Sequence, residues 1–257
     1  MIKLENMTRI FGRKKEIGQG IRNVSFTIND GDIVAFVGDN GAGKTTTIKA
    51  IFGEVRLTGG TIYIDGKELH KNNRLQKLSF FPDSNNIPLD MTIDEYVRYL
   101  CAANGISHEE YKINSIDIYS MLELEPHINK QMKELSAGLK KRAIMATVLI
   151  RRPKYILLDE PTANLDVESK IEFIDILKEL NNFGVTILIT SHIIEELQEI
   201  ANHLVLIANG KIVYDEAFNN KTEKMIDIYR KYSNPKIINL KPLKDVYERG
   251  TTNGKLR

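Results

Sequence analysis

The apolar run Ile33-Val34-Ala35-Phe36-Val37 leads directly into Gly38-Asp39-Asn40-Gly41-Ala42-Gly43-Lys44-Thr45, and a helical pattern, Thr46-Thr47-Ile48-Lys49-Ala50-Ile51-Phe52, follows at once. No other stretch constrains the fold as strongly. The loop fits G-x-x-x-x-G-K-[ST], in which glycines let backbone N–H groups wrap a phosphate and the helix N-terminus adds partial positive charge. In such a loop Lys44 is placed to reach the β- and γ-phosphates of a nucleotide, and the Thr45 hydroxyl to bind Mg²⁺. A strand, a glycine loop and a helix in this order predict an α/β core.

The rest of the chain is consistent with that core. Up to about residue 83, short β-branched runs (Val24-Ser25-Phe26-Thr27-Ile28, Ile62-Tyr63-Ile64, Leu78-Ser79-Phe80-Phe81) are separated by turn signals such as Asn29-Asp30-Gly31 and Asp65-Gly66. From about 84 to 150 the pattern is helical. Thr92-Ile93-Asp94-Glu95 reads as a capping box, with Tyr96, Val97, Tyr99 and Leu100 as an apolar face behind it. After 153, Tyr155-Ile156-Leu157-Leu158 and Val185-Thr186-Ile187-Leu188-Ile189 are apolar throughout and flank a helix marked by Ile171, Ile174, Leu177 and Leu180. Such strands predict a parallel sheet covered on both faces. The expected architecture is a mainly parallel phosphate-loop core with an N-terminal antiparallel β subdomain and a helical subdomain inserted at about 84–150. Together these fill residues 1–220, and a basic helix and tail follow at 221–257.

Composition narrows the function classes. The 257 residues are 42% hydrophobic and 27% charged, an ordinary globular balance. The formal charge of +2 argues against a nucleic-acid partner held by bulk electrostatics. No run approaches the roughly 20 apolar residues of a membrane span, so membrane work would require a separate partner. Cys101 is the sole cysteine and reads as a small core residue. From Lys221 to Arg257, ten Lys/Arg stand against four Asp/Glu, a solvated basic face or a contact for anionic surfaces.

Leu157-Leu158-Asp159-Glu160 sets two carboxylates at the C-terminal end of a buried strand, the end at which open α/β sheets bind ligands. Asp159 is placed to hold Mg²⁺ and Glu160 to activate water for attack on a γ-phosphate.

Just upstream, Leu135-Ser136-Ala137-Gly138-Leu139-Lys140-Lys141-Arg142 resembles the signature motif of ABC transporter ATP-binding subunits. Pro161-Thr162-Ala163-Asn164-Leu165-Asp166 resembles their D-loop, Thr190-Ser191-His192 their switch histidine, and Phe11 their adenine-stacking aromatic. The resemblance spans roughly residues 1–216. It implies two cassettes facing head to tail, each ATP held between Gly38, Asn40, Gly41, Ala42, Gly43, Lys44, Thr45 and Thr46 of one and Ser136, Ala137 and Gly138 of the other, with Asp166 beside that interface. Lys44, Glu160 and His192 would then serve hydrolysis. The implied partners are a second ATP-binding subunit and separate transmembrane permease subunits, which would hold the chain at the inner face of the cell membrane.

The chain departs from the family pattern in two places, at Asp83 and within the signature motif. Asp83 stands where a glutamine usually contacts Mg²⁺, which makes it a candidate ligand with an added negative charge. Ala137 and Leu139 replace a glycine and a glutamine, and an apolar residue at 139 resembles exporters of the ABC-2 type. The alternative is a soluble ABC ATPase acting on ribosomes or DNA. Against it, only about 90 residues separate loop and signature, without sustained heptads, and there is a single cassette. A nucleotide binder that does not hydrolyse is a third class, and Glu160 and His192 argue against it.

Overall fold

The computed structural model describes residues 1–12, 19–69, 77–82, 87–191 and 193–233. In chain order these form β1 (Ile2–Ile10), β2 (Gly20–Ile28), β3 (Ile33–Val37), α1 (Lys44–Phe52), β4 (Gly59–Ile64), β5 (Lys67–Glu68) and β6 (Leu78–Phe81). The helices α2 (Ile93–Ala103), α3 (His108–Met121) and α4 (Ala137–Leu149) follow. The chain then alternates through β7 (Tyr155–Asp159), α5 (Val167–Asn182), β8 (Thr186–Thr190), α6 (Ile194–Gln198), β9 (His203–Ala208), β10 (Lys211–Ala217) and α7 (Met225–Tyr232).

Two sheets result. One is antiparallel, in the order β2-β1-β4-β5; the other runs β10-β9-β3-β8-β7-β6, parallel except for β10. The central strand β3 shows why its sequence is apolar at every position. Ile33, Ala35 and Val37 face one core, shared with α2, α4 and α5, while Val34 and Phe36 face the other, shared with α1 and the antiparallel sheet. Burial on both faces removes the polar alternation of a half-exposed strand. The α/β class, the antiparallel subdomain and the parallel core agree with the expectation from sequence.

Between β6 and α4 the chain builds the helical lobe. The Thr92 hydroxyl accepts the Glu95 N–H and the Glu95 carboxylate accepts the Thr92 N–H, so α2 starts at its capping box. Ser107 and Glu110 form a second box at the start of α3. On α2, Tyr96 and Val97 are buried while Tyr99 is 58% exposed, so the apolar face turns through Cys101 rather than Tyr99. Burial pushes the Cys101 thiol up to about 11, in keeping with a core residue. The sequence Asn85-Asn86-Ile87-Pro88 reads as an exposed loop, yet Ile87 is buried in the same core, whereas Leu89 is exposed. Burial of Met225 seats α7 on the folded body.

A charged cluster ties the turns of the antiparallel sheet to the start of β7. Asp65 accepts hydrogen bonds from Lys154 Nζ at 2.8 Å, Lys77 Nζ at 2.8 Å and the Tyr155 hydroxyl at 2.5 Å. These donors hold the Asp65 carboxyl well below the ordinary aspartate value of 3.8. A depressed carboxyl contributes stability above its unfolded pKa and loses it as pH falls toward its folded pKa. Stability measured by urea titration should therefore fall as pH drops below about 4, and Asp65→Asn should flatten that acid limb while lowering stability near neutrality.

Candidate active site

Residues 38–43 connect β3 to α1, and their conformation follows from two steric demands. A Cβ on Gly38 would lie 2.3 Å from the Ile207 carbonyl oxygen on β9, so only glycine lets the loop pass under that strand. Gly43 has φ 117°, and a Cβ there would lie 2.8 Å from Ile21 Cγ2. Gly43 is also the N-cap of α1, so the helix begins with no side-chain cap and no acidic residue in its first turn. Its first N–H groups are thus left to an external acceptor, and the helix field favours an anion there. The Lys44 side chain is buried, and its Nζ donates to the carbonyls of Gly38 at 2.7 Å and Asp39 at 3.3 Å.

A cleft of about 220 Å³ opens over this helix end. Asn40, Gly41, Gly43, Lys44, Thr45 and Thr46 line its floor, and Phe11 and Glu160 stand at its walls. Phe11 is 39% exposed, with the Arg9 guanidinium 4.9 Å from its ring centroid. Ala42 is buried beneath the loop, its carbonyl accepting the Gly210 N–H at 2.9 Å.

Asp159 ends β7, which β8 separates from β3. Glu160 follows with φ 49°, a left-handed backbone that costs a non-glycine residue about 1–3 kcal/mol. Thr190 at the end of β8 holds both carboxylate residues. Its hydroxyl donates to Asp159 Oδ1 at 2.8 Å, while its Oγ1 and carbonyl oxygen accept the Glu160 N–H at 3.0 and 3.2 Å. Thr190 was not among the site residues expected from sequence. The available signal is a polar side chain closing an otherwise apolar strand at the ligand-binding end of the sheet. Gln19 and Gly20, which also line the cleft, carry no such signal.

The signature residues lie elsewhere. Ser136 caps α4, its hydroxyl accepting the Leu139 N–H at 3.2 Å. Ser136 and Ala137 are exposed, and neither they nor Gly138 line the cleft beside Lys44. Arg142 locks α4 to its surroundings by pairing with Glu123 and Glu172, each at 2.5 Å. Asp166 caps α5, its carboxylate accepting from the Ser169 N–H at 2.9 Å and hydroxyl at 3.0 Å, which lowers its pKa. The structure therefore gathers Phe11, Asn40, Gly41, Gly43, Lys44, Thr45, Thr46 and Glu160 at one cleft, with Gly38 and Ala42 packed behind the loop, and the lining does not include Ser136, Ala137, Gly138 or Asp166. Asp83 and His192 lie outside the described residues.

A second concavity, of about 350 Å³, lies between the core and the helical lobe. Phe52, Phe80, Pro82, Tyr96, Leu100 and Ala103 supply most of its apolar wall.

The two-sheet fold and the glycine loop on an uncapped helix define a phosphate-loop α/β protein. Comparison with known proteins narrows this class: the family described as ABC transporter matches residues 21–163. The chain belongs to the ABC transporter family. It is 31% identical over 226 residues to the ABC transporter ATP-binding protein NatA of Bacillus subtilis (strain 168), covering 87% of this chain and 92% of the relative. The SkfA peptide export ATP-binding protein SkfE of the same organism is 29% identical over 215 residues, covering 84% of this chain and 88% of its own. A solved structure described as a dimeric post-hydrolysis state of the ATP-binding cassette MJ0796 bound to ADP and Pi superposes with a TM-score of 0.76. Its identity is 27%, and the match covers 85% of this chain and 99% of that one.

Proposed function

We propose that this chain powers an ABC-2-type exporter, with two cassettes closing on ATP held between the phosphate loop of one and the Ser136 helix end of the other. The chain is the ATP-binding subunit of an ABC transporter and an ATPase. The observation that carries the composite site is the separation just described. One helix N-terminus lacks a side-chain cap and opens on a small cleft, and another, capped by an exposed serine, is not part of that cleft's lining. Each is half of an anion site, and a head-to-tail partner supplies the other half. Export is supported by the name of the SkfE relative and by the apolar Leu139.

The roles follow from placement. Lys44 exchanges its bonds to the Gly38 and Asp39 carbonyls for the β- and γ-phosphates, and the first N–H groups of α1 donate to the same oxygens. Phe11 offers a face to the adenine ring. Among the described residues no cluster of three or more His, Cys, Asp or Glu stands ready for a metal. The donors present, the Thr45 hydroxyl and the Asp159 carboxylate, suit Mg²⁺, which takes few protein ligands and fills its shell with phosphate oxygens and water. When bound, Mg²⁺ neutralises charge on the transferring phosphoryl group; Asp83 is a further candidate ligand. Glu160, held by Thr190, accepts the proton of the attacking water, and His192, two residues after β8 in sequence, is the candidate contact to the γ-phosphate. Asp166 orders the loop that meets the partner cassette. Closure favours ATP and opening follows hydrolysis, so work derives from the affinity difference between the two states.

Lys44→Ala should abolish ATP binding. Glu160→Gln should retain it, slow turnover by about 10²–10⁴, and yield a dimer in ATP by light scattering. Near-normal turnover in Glu160→Gln would remove it from the base role.

For the permease, the groove lined by Phe80, Pro82, Tyr96 and Leu100 suits the apolar face of a partner helix. It adjoins both the nucleotide core and the helical lobe, so a helix seated there would move with closure. Ala103 is exposed at its rim, and Ala103→Arg should prevent pull-down of the membrane subunit while leaving ATP binding intact. Capture of ribosomes instead of a membrane protein by the unmodified chain would favour the soluble alternative.

A further inference from the structure

The phosphate loop contains an acidic side chain, Asp39, next in sequence to the cleft-lining Asn40. A carboxylate within a few ångströms of the phosphates opposes binding by like-charge repulsion. Yet Asp39 is absent from the cleft lining, although Asn40 and Gly41 beside it are present. Its Oδ1 accepts a hydrogen bond from the Tyr229 hydroxyl at 2.5 Å, across 190 residues of sequence. We infer that Tyr229 is a positioning residue of the ATPase, holding the Asp39 carboxylate out of the nucleotide cleft and so tying the C-terminal helix to ATP binding.

The tyrosine is itself fixed. Met225, at the start of α7, is fully buried. Gln198 at the end of α6 accepts the Met225 N–H at 2.7 Å and donates to the carbonyls of Glu223 at 2.9 Å and Asn220 at 3.1 Å. Ile226, Ile228 and Tyr229 pack against the core, and the Tyr232 ring lies 5.0 Å from that of Tyr214. Helix α7 is thus anchored before it reaches the loop. Burial, together with the Asp39 bond, pushes the Tyr229 hydroxyl up to about 12, so it remains a protonated donor at neutral pH.

The backbone of Asp39 strengthens the link. Its carbonyl oxygen accepts from the Ala42 N–H at 3.0 Å and from Lys44 Nζ at 3.3 Å. One residue therefore steadies the loop lysine through its main chain and is restrained by α7 through its side chain. The same α7 is tied through Gln198 to α6, which follows Ser191 closely. The phosphate loop and α6 thereby share a single C-terminal brace.

This inference rests on reading residues 38–46 as the phosphate loop, and the test separates the two. ATP affinity of the full chain is measured by isothermal titration for Tyr229→Phe, for Tyr229→Phe combined with Asp39→Asn, and for Lys44→Ala. Tyr229→Phe releases the carboxylate and should weaken ATP about three- to tenfold. Adding Asp39→Asn removes the charge that needed restraint and should recover most of that loss. A tyrosine that merely anchors α7 gives a double variant as weak as Tyr229→Phe, or weaker. That result, or unchanged affinity in Tyr229→Phe, overturns the proposal. If Lys44→Ala has lost binding in the same series, only the role of Tyr229 falls. If Lys44→Ala binds normally, the phosphate-loop reading falls, and this inference with it.

Discussion

The uncapped N-terminus of α1 is the constraint on which the rest of the structure depends. A helix start without a capping side chain leaves several N–H donors without an intrahelical acceptor. It is tolerable in a folded protein when water or an anionic ligand satisfies them. Keeping that end open requires a loop with no side chain in the way, and two glycines supply it for different reasons. Gly38 is dictated by the Ile207 carbonyl on β9, and Gly43 by its positive φ and the approach of Ile21. The loop is thus pressed between the antiparallel sheet and the parallel one, and both must be in place before it takes its shape. The Asp65 cluster, where turns of one sheet meet β7 of the other, fixes that relation at the opposite end of the strands.

Function then follows from incompleteness. The cleft beside Lys44 is small, and the helix end that carries Ser136 does not line it. Enclosing a triphosphate calls for donors on both sides, and this chain provides them on two separate surfaces. In the proposed head-to-tail pairing both are satisfied at once, and nucleotide is then the bonding agent of the dimer. The α4 helix that presents Ser136 is held by Arg142 to Glu123 and Glu172, a link by which the proposed closure would reach the helical lobe. The apolar groove between lobe and core lies where that motion would be read by a partner helix.

Much of this was legible in the sequence because the determinants are local. The glycine loop, the apolar strands, the Thr92–Glu95 capping box and the Ser136 cap each depend on a few neighbouring residues. What escaped were contacts made between distant segments. Thr190 grips Asp159 and Glu160 across a parallel strand pair, and although it opens the Thr190-Ser191-His192 motif, nothing local shows which residues it bonds. Tyr229 meets Asp39 only because α7 folds back over the sheet. Tyr99 was expected on a buried face because spacing alone cannot say where an apolar stripe stops; Cys101 takes that place. The buried Ile87 shows the same limit in a segment whose composition reads as loop.

The claim that each ATP site is shared between two chains can be tested by mixing two defective ones. Ser136→Arg chains retain an intact phosphate loop, and Lys44→Ala chains retain an intact Ser136 helix end. Each alone should have negligible ATPase activity, because every site in either homodimer lacks one half. Mixed in equal amounts, they should regain a measurable fraction of wild-type turnover from the one complete site of the heterodimer, rising with protein concentration. Full activity in Ser136→Arg alone, or no recovery in a mixture shown by cross-linking to contain heterodimers, would contradict a site built from both chains.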